Sequence, residues 1–478
     1  MNAKMVRFGI AICLLALAVA CQGTRAGDPV KNTPEIVSRD LDDIREEGKL
    51  RALIAYSATG YFLYRGQPMG YEYEMLTRLA KRLGVQLELR VAQDLDQMLE
   101  ILQNGQVDLV AHGLAITEGR KEEVSFSDYL YLTKQVLVQR KPANWRSMTL
   151  DAIREDLVQD PVELIKDTVS VRKNSSYLRR LVNLSREIGG AIYIDTLDGN
   201  LSTDEIIKMV VDKKIKYTVA DRNLAQINAS SYPILDVGVP VSFSQRIGWA
   251  MRKNSPALKQ ATDQWIQAEK ADGDFNYIYG KYFENRRNFN RRVKSEFFSL
   301  TEGRISPYDS LIKIYSKALG WDWRLLASQV YQESRFDPTA RAWTNARGLM
   351  QLMPSTAEEL QIANPEDPEQ SLRGGIRYLR QLSEAFEAVP DSTDQIKFTL
   401  AAYNCGLGHV EDARRLAAIR GLDPNCWEGN VDQIILGLSY PKNYNDPIIQ
   451  YGYVRGVEPY RYVRQIMERY RHYASFVP

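Results

Sequence analysis

Asp322-Trp-Arg-Leu-Leu-Ala-Ser-Gln-Val-Tyr-Gln-Glu-Ser-Arg-Phe-Asp-Pro338 is the stretch on which the reading of the chain turns. Asp322 is a residue type that caps a helix N-terminus, and Leu326, Val330 and Glu333 then fall at i, i+4 and i+7 on one face. A glutamate that continues an apolar stripe is partly desolvated. Desolvation disfavours its charged form and raises its pKa, as a general acid at neutral pH requires. The plain alternative is a surface or salt-bridged glutamate near a helix end. Asp337, four residues on, precedes a proline, and such a residue disfavours α geometry, so it marks the helix end rather than a second working carboxylate.

Around this stretch the spacing predicts helices over 308–319, 323–333, 354–361, 371–387, 393–403 and 458–473, with almost no strand signal, so the C-terminal part reads as all-α. Upstream the pattern differs. Leu50–Ala55, Val85–Val91 and Val107–Ala111 read as strands, while Tyr73–Leu83 and Leu95–Leu102 follow helical spacing. That alternation implies an α/β domain with a mostly parallel sheet. Glu284–Lys294 is polar, basic and poor in aliphatic residues, and is read as the junction, with a basic surface helix as the other reading. The expected organisation is 1–21 signal, 22–40 tether, 41–284 first domain, 285–305 linker and 306–478 second domain.

A chain of 478 residues, 44% apolar, exceeds one ordinary core. Its 62 basic and 60 acidic residues are interleaved and sum to +2, which argues against nucleic acid as the partner. Lys4 and Arg7 precede an apolar run from Phe8 to Ala20 that is too short to span a bilayer, and no later run reaches the ~18 apolar residues a membrane helix needs. The chain therefore reads as exported. Cys405 and Cys426 either pair in an oxidising compartment or remain buried thiols, since spacing alone does not bring two Cα atoms together.

Three ordered motifs carry a resemblance: Gln332–Pro338, Gly348-Leu-Met-Gln-Leu-Met-Pro354 continued to Ala357, and Ala401-Ala-Tyr-Asn-Cys-Gly-Leu-Gly-His-Val410. Together they resemble the soluble lytic transglycosylase domain, which implies a lysozyme-like helical fold with Glu333 as the single catalytic glutamate and Ser334 beside it as a substrate-binding residue. The resemblance also implies that Met350 and Gln351 line a glycan groove and that Tyr403 and Asn404 face the cleaved linkage. Glu458–Val463 resembles the last family motif, whose tyrosine, here Tyr462, contacts the catalytic carboxyl. On physical grounds Gln351 offers donor and acceptor to an acetamido group, and Gly406 with Gly408 lets a loop approach a sugar. Between the first two motifs the chain departs from the family: Ala342 stands at the serine position and Asn345 at the turn glycine, a residue that tolerates left-handed backbone.

Gly70-Tyr-Glu-Tyr-Glu-Met75, Gly105–Asp108, Thr117-Glu-Gly-Arg120 and Phe126-Ser127 resemble the extracellular solute-binding domain of amino-acid transport systems. The implied fold is a two-lobed periplasmic solute-binding-protein-like α/β domain, with Arg120 on a ligand carboxylate and Asp221 on its amino group. Gly113 and Ala115 stand where that family carries ligand-binding serines, which leaves open an amino acid, a peptide stem or a purely regulatory domain. Leu17–Cys21 resembles a lipoprotein signal, implying an acylated Cys21 and, with Gln22 beside it, the periplasmic face of the outer membrane.

The whole chain thus resembles the membrane-bound lytic murein transglycosylase F family. The resemblance implies cleavage of peptidoglycan glycan strands at the bond between MurNAc and GlcNAc, closing a 1,6-anhydro ring with neither metal nor cofactor. A hydrolytic muramidase, or a non-catalytic sensor of peptidoglycan or amino acids, is the alternative.

Overall fold

The computed structural model describes residues 37–300 and 303–477, and the chain from Arg39 onward forms one compact unit. Cys21 and the signal lie outside the described residues. The principal strands are β1 (Lys49–Ile54), β2 (Gln86–Val91), β3 (Leu109–Ala115), β4 (Gln135–Arg140), β5 (Thr168–Arg172), β6 (Tyr193–Leu197), β7 (Thr218–Asp221), β8 (Leu235–Asp236) and β9 (Gln245–Met251). The helices that matter below are α1 (Tyr71–Leu83), α2 (Ser176–Glu187), α3 (Thr203–Val211), α4 (Arg286–Val293), α5 (Asp309–Leu319), α6 (Trp323–Ser334), α7 (Pro368–Glu384), α8 (Ser392–Cys405) and α9 (Val457–Phe476).

The first lobe is a sheet in the order β2-β1-β3-β9. β1 pairs in parallel with β2 and β3, and its residues Leu50 and Ala52 to Ile54 are fully buried, as expected of a strand covered on both faces. β9 runs antiparallel to β3, contrary to a mostly parallel sheet. The reason is connectivity. The chain leaves this lobe after Thr133, builds β4 to β8 in a second lobe, and returns at Gln245, so β9 enters from the far side rather than through a crossover helix. In the second lobe β4 lies between β7 and β8, antiparallel to both, while β5 and β6 pair in parallel. Gln135 Nε2 donates to Gln245 Oε1 at 3.1 Å and ties the two crossing strands together.

α1 buries Met75, Leu76, Leu79 and Ala80 against the first sheet. It starts at Gly70, whose φ of 136° and close approach to Gly60 exclude a side chain: a Cβ there would stand 2.0 Å from the Gly60 carbonyl oxygen. Glu72, on the same helix, is buried and accepts from Trp249 Nε1 at 2.6 Å, and Trp249 stacks on Trp265 with ring centroids 5.8 Å apart.

Residues 285–300, between the domains, are ordered. α4 buries Phe289 and Arg292, so the basic segment is a helix packed on the first domain with Arg286, Arg287 and Arg291 outward. From Asp309 the regular elements among the described residues are all helices, joined by loops that carry isolated bridges at Arg341, Arg347 and Leu352. The long C-terminal α9 packs on α6 and α8 and also reaches the first domain. Tyr473 Oη donates to the Gly66 carbonyl at 2.7 Å, Tyr56 Oη donates to the Ser475 carbonyl at 2.5 Å, and Tyr61 Oη is hydrogen-bonded to His472 Nδ1. Phe476 fills the space between Tyr56 and Tyr61, with centroids 4.1 and 4.9 Å away.

Burial pushes the Glu72 carboxyl up to about 7, against the single opposing bond from Trp249. A carboxyl raised in the folded state confers stability below its unfolded value that is lost as pH rises to the folded value. Glu72→Gln should therefore gain on the wild type by about 3 kcal/mol between pH 4.5 and pH 8. Denaturant unfolding across that range measures the gap, and a constant gap would contradict it.

Candidate active site and ligand cleft

α6 begins where Asp322 accepts from the backbone N–H of Arg324 at 2.9 Å, and it ends at Ser334 because Arg335 and Phe336 both turn left-handed, with φ of 54° and 64°. Two such non-glycine residues in succession cost on the order of 1 to 3 kcal/mol each. The surroundings hold them: Arg335 N–H donates to Tyr331 O at 2.9 Å, and the Phe336 ring is buried at an edge-on contact with Tyr331. Glu333 is thereby carried on the last turn of the helix and projects toward α9.

There its Oε1 accepts from Tyr462 Oη. Burial raises the Glu333 carboxyl to about 7, and the tyrosine bond opposes the rise. Tyr462 is itself buried and accepts from Gln329 Nε2 at 3.3 Å. Gln329 lies one turn before Glu333 on the same face of α6, with no exposed surface, and its Oε1 has no hydrogen-bond partner. Sequence reading passed over it although its i−4 spacing from Glu333 was visible, because a neutral amide adds no charge signal.

The other expected site residues separate into different jobs. Tyr403, from α8, lies close enough for the Glu333 charge to raise its pKa, second to burial, and donates to the Met350 carbonyl at 2.8 Å. Asn404, next to it, is exposed at the end of α8. Ser334 is buried, its Oγ within bonding distance of Val330 O at 3.1 Å and Leu349 O at 2.9 Å, so it fastens the 348–352 loop to α6 rather than facing a ligand.

Met350, expected to line a groove, is instead wholly buried beside Gly375, where a Cβ would stand 2.7 Å from its Sδ-methyl carbon. Its thioether is the packing element that the apolar run Leu349–Leu352 demands. Gln351 spends both amide hydrogens inside the loop, on Ala340 O and Gly348 O at 2.9 Å each, which leaves only Oε1 to offer. Gly348, at φ 79°, is pressed against Pro365, whose carbonyl oxygen would be 1.7 Å from a Cβ. Asn345 takes the left-handed turn, at φ 72°. Gly408 does not form an open loop; it sits inside a helix against the Tyr451 ring, 2.5 Å from where its Cβ would be. Cys405 and Cys426 are both free thiols.

In the first domain Arg120 and Asp221 line one cleft between the lobes. Thr117 caps the short helix that carries Arg120, and one Arg120 Nη donates to Ala115 O at 3.0 Å. Asp221, at the end of β7, is buried; its Oδ2 accepts from Tyr177 at 3.3 Å and its Oδ1 has no partner. Burial raises its carboxyl to about 7. Arg172 and Tyr177 share the cleft and went unnoticed in the sequence, since one closes β5 and the other opens α2 with no motif to mark them. Asp108, of the second motif, is structural: it is fully buried between Arg39, at 2.8 Å, and Arg252, at 3.4 Å.

Residues 49–285 match the bacterial extracellular solute-binding proteins, family 3, and residues 310–422 match the transglycosylase SLT domain. A membrane-bound lytic murein transglycosylase F of Desulfosudis oleivorans is 32% identical over 432 residues, 90% of this chain and 91% of that protein. The chain belongs to the membrane-bound lytic murein transglycosylase F family. A second member, from Shewanella pealeana, is 31% identical over 468 residues, covering 98% of this chain and 91% of its own length. Among solved structures, an ancestral amino-acid-binding protein described as a precursor of cyclohexadienyl dehydratase is 25% identical and covers 51% of this chain and 99% of its own, with a TM-score of 0.42. In this transglycosylase F chain Tyr462 lies C-terminal to the matched SLT segment, yet the fold returns it to the glutamate.

Because the Gln329 amide polarises the Tyr462 hydroxyl, removing it weakens the bond that favours ionised Glu333. Gln329→Leu should raise the Glu333 pKa by about half a unit, read by NMR titration of 13C-labelled glutamate carboxyls. An unchanged or lowered value would show that the amide does not act through Tyr462.

Proposed function

We propose that Glu333 is the catalytic acid and base of this peptidoglycan lytic transglycosylase, whose first domain is solute-binding-protein-like. The observation that carries the reading is the carboxyl of Glu333, raised to about 7 by burial and gripped by Tyr462 at the end of α6. A group of that pKa is protonated in a useful fraction at neutral pH and accepts a proton back with little cost.

Asp337 has no part in this pair, since its Oδ1 accepts from Thr339 N–H at 2.9 Å and Thr339 Oγ1 at 2.8 Å in a turn. One carboxyl suits substrate-assisted chemistry. Glu333 protonates the glycosidic oxygen between MurNAc and GlcNAc, and the acetamido carbonyl of the MurNAc captures the anomeric carbon. Glu333 then takes the proton of the O6 hydroxyl as that oxygen displaces the acetamido group, which closes the 1,6-anhydro ring and regenerates the acid. Tyr462 holds the carboxyl, Tyr403 and Asn404 flank the linkage, Gln351 presents its remaining oxygen to the substrate, and Ser334 and Met350 keep the loop in place.

Residues 41–284 serve as the ligand-binding regulatory part, 285–305 as the connection and 306–478 as the catalytic part. Arg120 and Asp221 receive the carboxylate and amino group of an amino acid or muropeptide. Among the described residues no helix is long and apolar enough to cross a membrane. An acylated Cys21 supplies the attachment, on the periplasmic face of the outer membrane.

Mass spectrometry of purified peptidoglycan incubated with protein lacking residues 1–21 tests the reading. Anhydro-MurNAc ends are expected, with Glu333→Gln forming them about 10²- to 10⁴-fold more slowly and the wild-type rate falling as pH rises past about 7. Reducing MurNAc ends would make the protein a hydrolytic muramidase. No cleavage by either protein would make it a glycan-gripping sensor.

A further inference from the structure

Two arginines line the cleft between the lobes, and among the described residues neither has a carboxylate within ion-pair distance. Arg120 donates to Ala115 O at 3.0 Å, and Arg172 donates to Leu201 O at 3.3 Å while its Nε has no partner. Both side chains are withdrawn from water, which lowers their pKa from the ordinary arginine value. Both are half-buried, and a desolvated cation without a counter-charge is destabilising, so two in one cleft ask for anions.

The surrounding carboxylates do not supply them. Asp204 is committed to the Ala58 N–H at 2.8 Å and to Asn228 Nδ2 at 2.7 Å, which fastens one lobe to the other. Glu72 is committed to Trp249. Asp94 and Asp96 act on Arg172 only at longer range and are packed against the turn at Gly199, where a Cβ would meet their oxygens at 2.2 and 2.6 Å. Asp221 acts on Arg120 only weakly, and its unpartnered Oδ1 leaves an acceptor suited to an ammonium group. Beside Arg172 the N-termini of α2 and α3 open on the same cleft through Ser175, Ser176 and Ser202, and helix N-termini favour negative charge.

We infer that the cleft is built for a free amino dicarboxylate of the glutamate class, one carboxylate on Arg120, the second on Arg172, and the ammonium on Asp221. This rests on the reading of the first domain as an amino-acid site and adds the side-chain subsite. At these three contacts two cations and one anion of the protein meet two anions and one cation of the ligand. The cleft is small, about 70 Å³, which favours a single amino acid over a peptide.

Isothermal titration of the full chain in detergent tests this with L- and D-glutamate, L-glutamine, L-arginine, glutarate and a dipeptide that begins with glutamate. One glutamate enantiomer should bind at least about tenfold more tightly than glutamine, arginine, glutarate or the dipeptide. Arg172→Gln should abolish the preference for glutamate over glutamine while glutamine still binds, which also reports an intact fold, and Arg172→Lys should keep part of the preference. Glutamine, arginine or the dipeptide binding as tightly as glutamate, or an unchanged preference in Arg172→Gln, would overturn the Arg172 subsite and leave the amino-acid site standing. Heat from none of the six compounds would overturn both.

Discussion

The hydrogen bond between Tyr462 and Glu333 is the constraint around which the second domain is arranged. It joins residues 129 apart in sequence, so it exists only if α9 returns across α6 at the right height. Ser328 Oγ donating to Ile466 O at 2.7 Å fixes that height one turn along, and Arg469 repeats the tie to Gln332 at 3.1 Å. α9 is 20 residues long, roughly 30 Å. Its first turns set the working carboxyl, and its last turn, through His472, Tyr473, Ser475 and Phe476, is clamped by Tyr56, Tyr61 and Gly66 of the first domain. Tyr56 also lines the cleft between the lobes, so a single helix and one aromatic side chain connect the two sites physically.

Burial of carboxyls recurs as the means by which the chain makes acids of neutral pH. Glu72, Asp221 and Glu333 are each pushed up to about 7, first by desolvation, and each is opposed by one or two donors. Their partners distinguish them. Glu72, at the wall of the cleft, gives its Oε2 to Trp249, whereas Asp221 has a fully buried oxygen with no partner and Glu333 remains partly open to solvent. A raised pKa alone does not separate structure from function here.

The sequence carried the second domain well because its helices are amphipathic and its motifs are contiguous. Asp322 does cap α6, and the six helices read from periodicity are present with ends displaced by a few residues, as frayed ends and capping residues outside the stripe dictate. What failed was the assignment of side-chain direction within a motif. Met350 and Gln351 are adjacent in a tight loop where Gln351 turns left-handed at φ 49°, so nothing in their order revealed that one faces the core and the other ties the loop together. Likewise Gly408 reads as loop freedom but answers to Tyr451, 43 residues later. β9 went unread, and the antiparallel direction that breaks the expected parallel pattern is set by the excursion through the second lobe and not by its own residues.

The left-handed pair after Ser334 shows how such local choices combine. Arg335 and Phe336 pay a backbone cost that no residue type in the stretch relieves, since neither is glycine or asparagine. Against it stand the buried Phe336 ring, the Ser334 bonds to Val330 and Leu349, and the Gln351 bonds that close the loop from the other side. The reversal allows α6 to end at its glutamate rather than one turn later. Were it to continue, Arg335 and Phe336 would extend the helix past Glu333, and the 348–352 loop, with the Met350 carbonyl that holds Tyr403, would lose its footing on Ser334. The strain and the carboxyl's position are therefore one structural decision, made by packing between the first two motifs.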